Sequence, residues 1–329
     1  MDSFKALLLE QRLNVQTCEI RQLEDSALPP GDVTVAVEYS SLNYKDGLAV
    51  TGTGKIIRQF PMVAGIDLAG TVLQSADARY KADERVLLTG WGIGERTWGG
   101  YTQRNRVKAD WLVPLPDGLS TRQAMSIGTA GFTAMLCVMA LEQQGVKPGA
   151  DVIVTGAAGG VGSISVAVLS KLGYRVTAST GRYETHDYLR SLGAGEIVDR
   201  SMFNKPSGKP MDPERWHGAV DPVGGATLAT LIRSMKYGGG IAACGLAGGA
   251  DVSTTVFPFI LRAVNLLGVD SVYCPPPKRR EAWRRLTVDL PANKLEQMTR
   301  VISLGEVERF SKDILAGQVQ GRIVVDVNA

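Results

Sequence analysis

Val152-Ile153-Val154-Thr155-Gly156-Ala157-Ala158-Gly159-Gly160-Val161-Gly162 is a β-branched run that meets a glycine-rich turn and continues directly into a helical pattern. Strand, turn and helix in this order form the head of a dinucleotide-binding unit. The glycines at 156, 159 and 162 permit a tight turn, close backbone approach to a pyrophosphate and close packing of helix on strand. Exposed N–H groups and the positive end of the helix dipole stabilise the phosphate charge. The spacing is G-x-x-G-x-x-G rather than G-x-G-x-x-G, so the strand-turn-helix context carries the reading. The turn from Gly156 through Ala157, Ala158, Gly159 and Gly160 to Val161 is therefore the expected pyrophosphate site.

The next strand selects the dinucleotide. A site for NAD usually places Asp or Glu about 20 residues beyond the turn, where it accepts from the ribose 2′-OH. Here that region reads Ala178-Ser179-Thr180-Gly181-Arg182, with no carboxylate at the strand end. Ser179 and Thr180 offer hydroxyls, and Arg182 offers a forked cation suited to a 2′-phosphate. NADPH is the expected cofactor.

Outward from this point, strands over 175–180, 196–198, 218–221 and 240–244 alternate with helices over 184–192 and 226–235. Such alternation predicts an α/β fold with a doubly wound parallel sheet. Residues 5–116 instead show short strands and turns. Val33, Val35 and Val37 alternate along 32–37, and further strands are expected over 67–73 and 84–88. This is the pattern of a β-rich domain. A helical tract over 123–141 separates the two regions, and the tail ends in a strand-like run over 321–327.

A chain of 329 residues suits two domains. Its 44% hydrophobic and 21% charged residues are ordinary for a globular protein. A net charge of +3 is too small to argue for nucleic acid. The N-terminus lacks the pattern of a signal peptide, and no uninterrupted apolar stretch reaches the roughly 20 residues of a membrane helix. Cys18, Cys137, Cys244 and Cys274 form no C-x-x-C pair, which points to reduced thiols in a cytoplasmic protein. The two histidines, His186 and His217, lie beside no cysteine at metal-ligand spacing, so no metal is expected. No G-x-S-x-G elbow or Ser/His/Asp set is apparent.

Further strings carry a resemblance. They are Ser40-Ser41-Leu42-Asn43-Tyr44-Lys45-Asp46, Thr53-Gly54-Lys55-Ile56-Ile57-Arg58, Gly65-Ile66-Asp67-Leu68-Ala69-Gly70-Thr71, Gly128-Thr129-Ala130-Gly131-Phe132-Thr133-Ala134-Met135 and Ala243-Cys244-Gly245-Leu246-Ala247-Gly248-Gly249. With them the chain resembles the zinc-free quinone oxidoreductase side of the medium-chain dehydrogenase/reductase superfamily, and most closely its acrylyl-CoA reductase branch. In that frame Ile66 stands where zinc enzymes of this layout carry a ligand histidine. The resemblance implies a GroES-like catalytic domain made of residues 1–122 and 268–329, with a Rossmann NADPH-binding domain inserted at 123–267. It also implies a homodimer. Carried over, Tyr44 contacts the nicotinamide end, Thr180, Gly181 and Arg182 the 2′-phosphate, and Leu246, Ile260 and Ser271 the nicotinamide wall, with Arg322 reaching the cofactor from the tail.

The activity implied is NADPH-dependent reduction of acrylyl-CoA to propionyl-CoA, with quinone reduction as the alternative. A binding protein without catalysis is a third reading. Hydride addition to the β-carbon builds negative charge on the thioester oxygen. Asn43 could donate to that oxygen, and Tyr44 could donate a hydrogen bond or a proton at the α-carbon. Asn43-Tyr44 also reads as a capping pair beside a strand. Asp67 would orient a water, a ribose hydroxyl or Asn43. The basic run Lys278-Arg279-Arg280 with Arg284-Arg285 reads either as a contact for CoA phosphates or as a solvated face.

Overall fold

The computed structural model describes residues 3–13, 15–203 and 208–329. They form two compact units, one made of Met1–Thr129 and Leu295–Ala329, the other of Ala130–Lys294.

In the first unit the strand Val33–Leu42 is central. It pairs antiparallel with Asp67–Ser75, with Arg104–Val107 and with the C-terminal strand Arg322–Asp326, which brings Ile323 opposite Leu42. The tail thus completes the first unit. The alternation read from the sequence is the physical cause of this strand: Val33, Val35 and Val37 are all buried, while Thr34 and Ala36 between them are partly exposed. A three-stranded sheet of Val15–Glu24, Ser3–Arg12 and Met62–Val63 lies beside it in the same unit. The helices Tyr44–Thr51 and Val307–Leu315 pack so closely that a Cβ on Gly47 would stand 2.8 Å from Ile314.

The second unit is a six-stranded sheet in which every pairing is parallel. Its order runs Glu196–Asp199, Arg175–Thr180, Asp151–Val154, Trp216–Asp221, Met235–Ala243, Asn265–Gly268. This is the doubly wound order, in which the first strand lies in the middle and the chain reverses direction beside it.

The units part at 129/130 and 294/295, whereas the sequence reading put the crossings at 122/123 and 267/268. Packing explains the later return. The helix Pro276–Asp289 lays Trp283 on Phe132, with ring centroids 6.1 Å apart and planes within 8°, and its Arg285 pairs with Glu142. Residues 268–294 are held by the second unit.

The segment Thr121–Gln143 also differs from expectation. By length and composition it is apolar enough to cross a bilayer, although no such stretch was expected from the sequence. Its apolar window is 89% buried inside the protein. Gly128, with φ +51° and ψ −160°, breaks it into two helices.

Candidate active site

Asn43 and Tyr44 stand where the central strand of the first unit ends and a helix begins. Asn43 is the N-cap: its side chain and that of Asp46 form a reciprocal capping box. The capping reading of this pair therefore holds, and it fixes the direction of the next residue. Tyr44, in the first helical turn, is 40% exposed.

Beneath Tyr44 lies a buried polar cluster. Asp67, fully buried, accepts from the Ser41 amide at 3.0 Å, from the Ser41 hydroxyl, from Asn43 Nδ2 at 3.2 Å and from the Thr129 amide at 2.8 Å. The break at Gly128 is what frees the Thr129 amide for this bond. Arg322 donates from Nε to the Ser126 carbonyl at 2.9 Å, from Nη1 to Asn43 Oδ1 at 3.2 Å and from Nη2 to Ser41 Oγ at 2.8 Å. Asp46 accepts from the Asn43 and Ile66 amides, each at 2.9 Å. The buried Tyr101 hydroxyl donates to the Ser41 carbonyl.

Charge balance organises this cluster. Burial, reinforced by nearby Asp67, pushes the Asp46 carboxyl up to about 7, while burial also lowers Arg322 from its ordinary value. Two neighbouring carboxyls with one guanidinium are best balanced when only one carboxyl carries charge. The geometry also redefines two residues. Every polar atom of the Asn43 amide faces interior partners (Ser41, Asp46, Asp67 and Arg322), so Asn43 positions Tyr44 rather than presenting an N–H outward. Arg322 is only 2% exposed, and its three bonds tie the tail to the cap. Asn43 is thus among the groups that Asp67 holds.

In the second unit the turn has the shape the sequence predicts. Gly156 adopts φ +54°, and a Cβ on Gly162 would meet the Gly156 carbonyl oxygen at 2.3 Å. Residue 162 must therefore be glycine for the helix to sit on the turn. The helix Gly160–Lys171 has Gly159 as its N-cap, which brings no side chain to the leading amides. Those amides and the turn backbone form a cradle that fits a dinucleotide pyrophosphate. The Ala157 amide is turned inward to the Ser179 carbonyl at 3.1 Å, joining the turn to the next strand.

At the end of that strand Thr180 Oγ1 accepts from the Arg182 amide at 3.2 Å and lies 3.1 Å from the Thr185 hydroxyl, so its role is to shape the loop. Ser179 is likewise buried. The sequence reading missed Arg200. Its side chain lies against Gly181, where an added Cβ would stand 2.4 Å from Nε. A second guanidinium thus flanks the loop that carries Arg182. The only signal for it was position, one residue beyond the third strand of the sheet. Asp221 was also missed. Fully buried, it accepts from Thr155 Oγ1, from the Val223 amide at 3.1 Å and from the Gly224 amide at 2.9 Å, fastening the phosphate turn to the next loop. Burial raises its carboxyl above the ordinary value. In that region the Gly248 amide donates to Val223 at 2.7 Å, leaving neighbouring Leu246 65% exposed. Ile260 is 69% exposed and Ser271 half-buried.

Among the described residues no group of three His, Cys, Asp or Glu side chains is placed to hold a metal. The 278–285 run divides: Lys278 and Arg280 are exposed, and the other three cations have partners. Arg279 is buried and donates to the Ser271 and Val272 carbonyls, Arg284 pairs with Glu281, and Arg285 pairs with Glu142 and Asp289.

The sequence matches the family model described as the alcohol dehydrogenase GroES-like domain over residues 29–117, and that described as zinc-binding dehydrogenase over 160–288. It is 58% identical over 311 residues to the acrylyl-CoA reductase AcuI of Ruegeria pomeroyi, covering 94% of each chain. Its fold matches the crystal structure of the yhdH oxidoreductase from Salmonella enterica in complex with NADP at a TM-score of 0.96. That relative is 56% identical, with 98% of this chain and 99% of the other covered. The structure of Bacillus subtilis yhfP with NAD bound matches at 0.95 with 45% identity, covering 99% of this chain and 100% of the other.

Proposed function

This chain belongs to the medium-chain dehydrogenase/reductase family, on its zinc-free acrylyl-CoA reductase branch, and we propose that it reduces the activated C=C bond of acrylyl-CoA to propionyl-CoA with NADPH. The observation that carries the cofactor choice is the carboxylate-free end of the second nucleotide-unit strand, flanked by Arg182 and Arg200 at Gly181. The substrate follows the name of the 58% identical relative.

The residues fit the cofactor. The amides of Ala158, Gly160 and Val161 would hold the pyrophosphate, Arg182 and Arg200 the 2′-phosphate, and Leu246, Ile260 and Ser271 would flank the nicotinamide. Bound there, NADPH supplies the hydride. The chain's own work is to align the alkene and stabilise charge on the thioester oxygen. Tyr44 is the exposed hydroxyl on the cap, and it donates to that oxygen or delivers the proton at the α-carbon. Asn43, Asp67 and Arg322 act behind it by fixing the cap, so that Tyr44 is preorganised. The reading also carries a cytoplasmic homodimer joined along the open sheet edge Asn265–Gly268, whose Leu266 is 45% exposed.

The test is loss of reduced-nicotinamide absorbance with acrylyl-CoA and, separately, with a soluble quinone. Turnover is expected with the thioester and little with the quinone. The reverse result replaces this reading by quinone reduction, and silence with both leaves a protein that only binds NADPH.

A further inference from the structure

Lys278 and Arg280 are exposed on the basic helix, and the first unit holds a second group of cations. Lys45, directly after Tyr44, places Nζ 3.2 Å from Glu95. Arg58 and Arg96 approach the same carboxylate through Nε at 3.8 and 3.7 Å. The loops that carry them are locked together: the Arg58 amide donates to the Glu95 carbonyl at 3.0 Å, and Gln59 Nε2 donates to the Arg96 carbonyl at 3.1 Å. Gly94 anchors this arrangement against the chain at Gly65, where a Cβ would stand 2.7 Å from the carbonyl oxygen.

Three cations on one carboxylate are more than a structural ion pair requires. Exposed pairs contribute little stability, and two like charges held together oppose each other. The exposure is uneven. The Glu95 side chain is 15% exposed, whereas those of Arg58 and Arg96 are 60% and 63% exposed. Each guanidinium therefore turns its Nε toward Glu95 and its outer edge toward solvent, with N–H donors in the fork that matches phosphate. The group carries a surplus of positive charge and belongs to the unit that carries Tyr44.

We propose that Lys45, Arg58 and Arg96, gathered by Glu95, form the site that grips the phosphates of the CoA moiety. Their partner is a phosphorylated nucleotide handle joined to the thioester by a flexible arm. This rests on the acrylyl-CoA reading above. It also gives a use to the stretch 53–58, whose residues the nicotinamide and alkene sites leave unassigned.

The experiment compares kcat/KM for acrylyl-CoA with that for acrylyl-pantetheine, which keeps the reacting group and lacks the nucleotide phosphates. The wild type is expected to favour the CoA thioester. Arg58→Ala and Arg96→Ala should each cut that preference by about tenfold, the loss expected for a charge-assisted contact at a partly solvated edge. The preference should also shrink as ionic strength rises. Turnover of the pantetheine thioester by the same preparations reports that the variants are folded. A preference unchanged in the double variant Arg58→Ala/Arg96→Ala, or a wild type with no preference, overturns the phosphate site while leaving thioester reduction in place. A wild type that reduces neither thioester overturns the function reading itself.

Discussion

In the nucleotide unit the proposed ligand surface is backbone: amides at a helix head and a turn whose Gly162 sits where a Cβ would be 2.3 Å from a carbonyl oxygen. In the β-rich unit the corresponding surface is one side chain, Tyr44, and the backbone is buried behind it in a network of Ser41, Asn43, Asp46, Asp67 and Arg322. A backbone cradle binds one chemical form and depends on glycine. A side-chain platform can be retuned by its supports, at the cost of burying charge. The contrast explains why substitutions of similar size should act so differently in the two units.

The largest effect is expected where the β-rich cluster itself depends on backbone. Gly128 has positive φ, and a Cβ there would stand 2.7 Å from both Arg322 Nη2 and Ser41 Oγ and 2.9 Å from Asp67 Oδ2. Gly128→Ala should lower stability by about 3 kcal/mol or more through strain and a broken buried network. Denaturant unfolding measures it, and a loss below ~1 kcal/mol would mean the cluster yields easily.

Next is the pair of arginines at Gly181. Arg182→Ala and Arg200→Ala should each weaken NADPH relative to NADH by roughly 1–3 kcal/mol, the range for hydrogen bonds to charged groups. The ratio of KM values for the two coenzymes reads this directly. If only Arg182→Ala moves it, Arg200 is a packing residue and the clamp has one cation.

The third effect is a slope, read across pH rather than at one pH. The Asp46 carboxyl is raised from 3.8 to about 7, so folding takes up a proton within that window. Stability from this group is present below the window and declines as pH rises through it. Asp46→Asn should flatten the decline in unfolding free energy between these limits. A decline as steep as that of the wild type would show that Asp46 keeps its charge in the fold.

Legibility followed the same division. The glycine-rich turn, the alternation of strands and helices in the nucleotide unit and the absence of an NAD-type carboxylate were all readable, because each is expressed within short stretches of sequence. Asn43 was legible both as a catalytic candidate and as a cap, and only the burial of its amide separated the two. Arg279 looked like a phosphate contact and proved to be a buried cation over the Phe132 ring. Arg200 carried only the signal of its position after a strand.

The sequence by itself determined the strand-helix alternation of the nucleotide unit and the glycine-rich turn at its head, since glycine spacing and apolar period act over one or two turns. Only the tertiary structure decided that Arg322 supports residue 41, 281 positions away, and that the chain returns to the first unit at residue 295 rather than 268. Whether a charged side chain faces water, a partner or an aromatic ring is set by what distant segments pack over it.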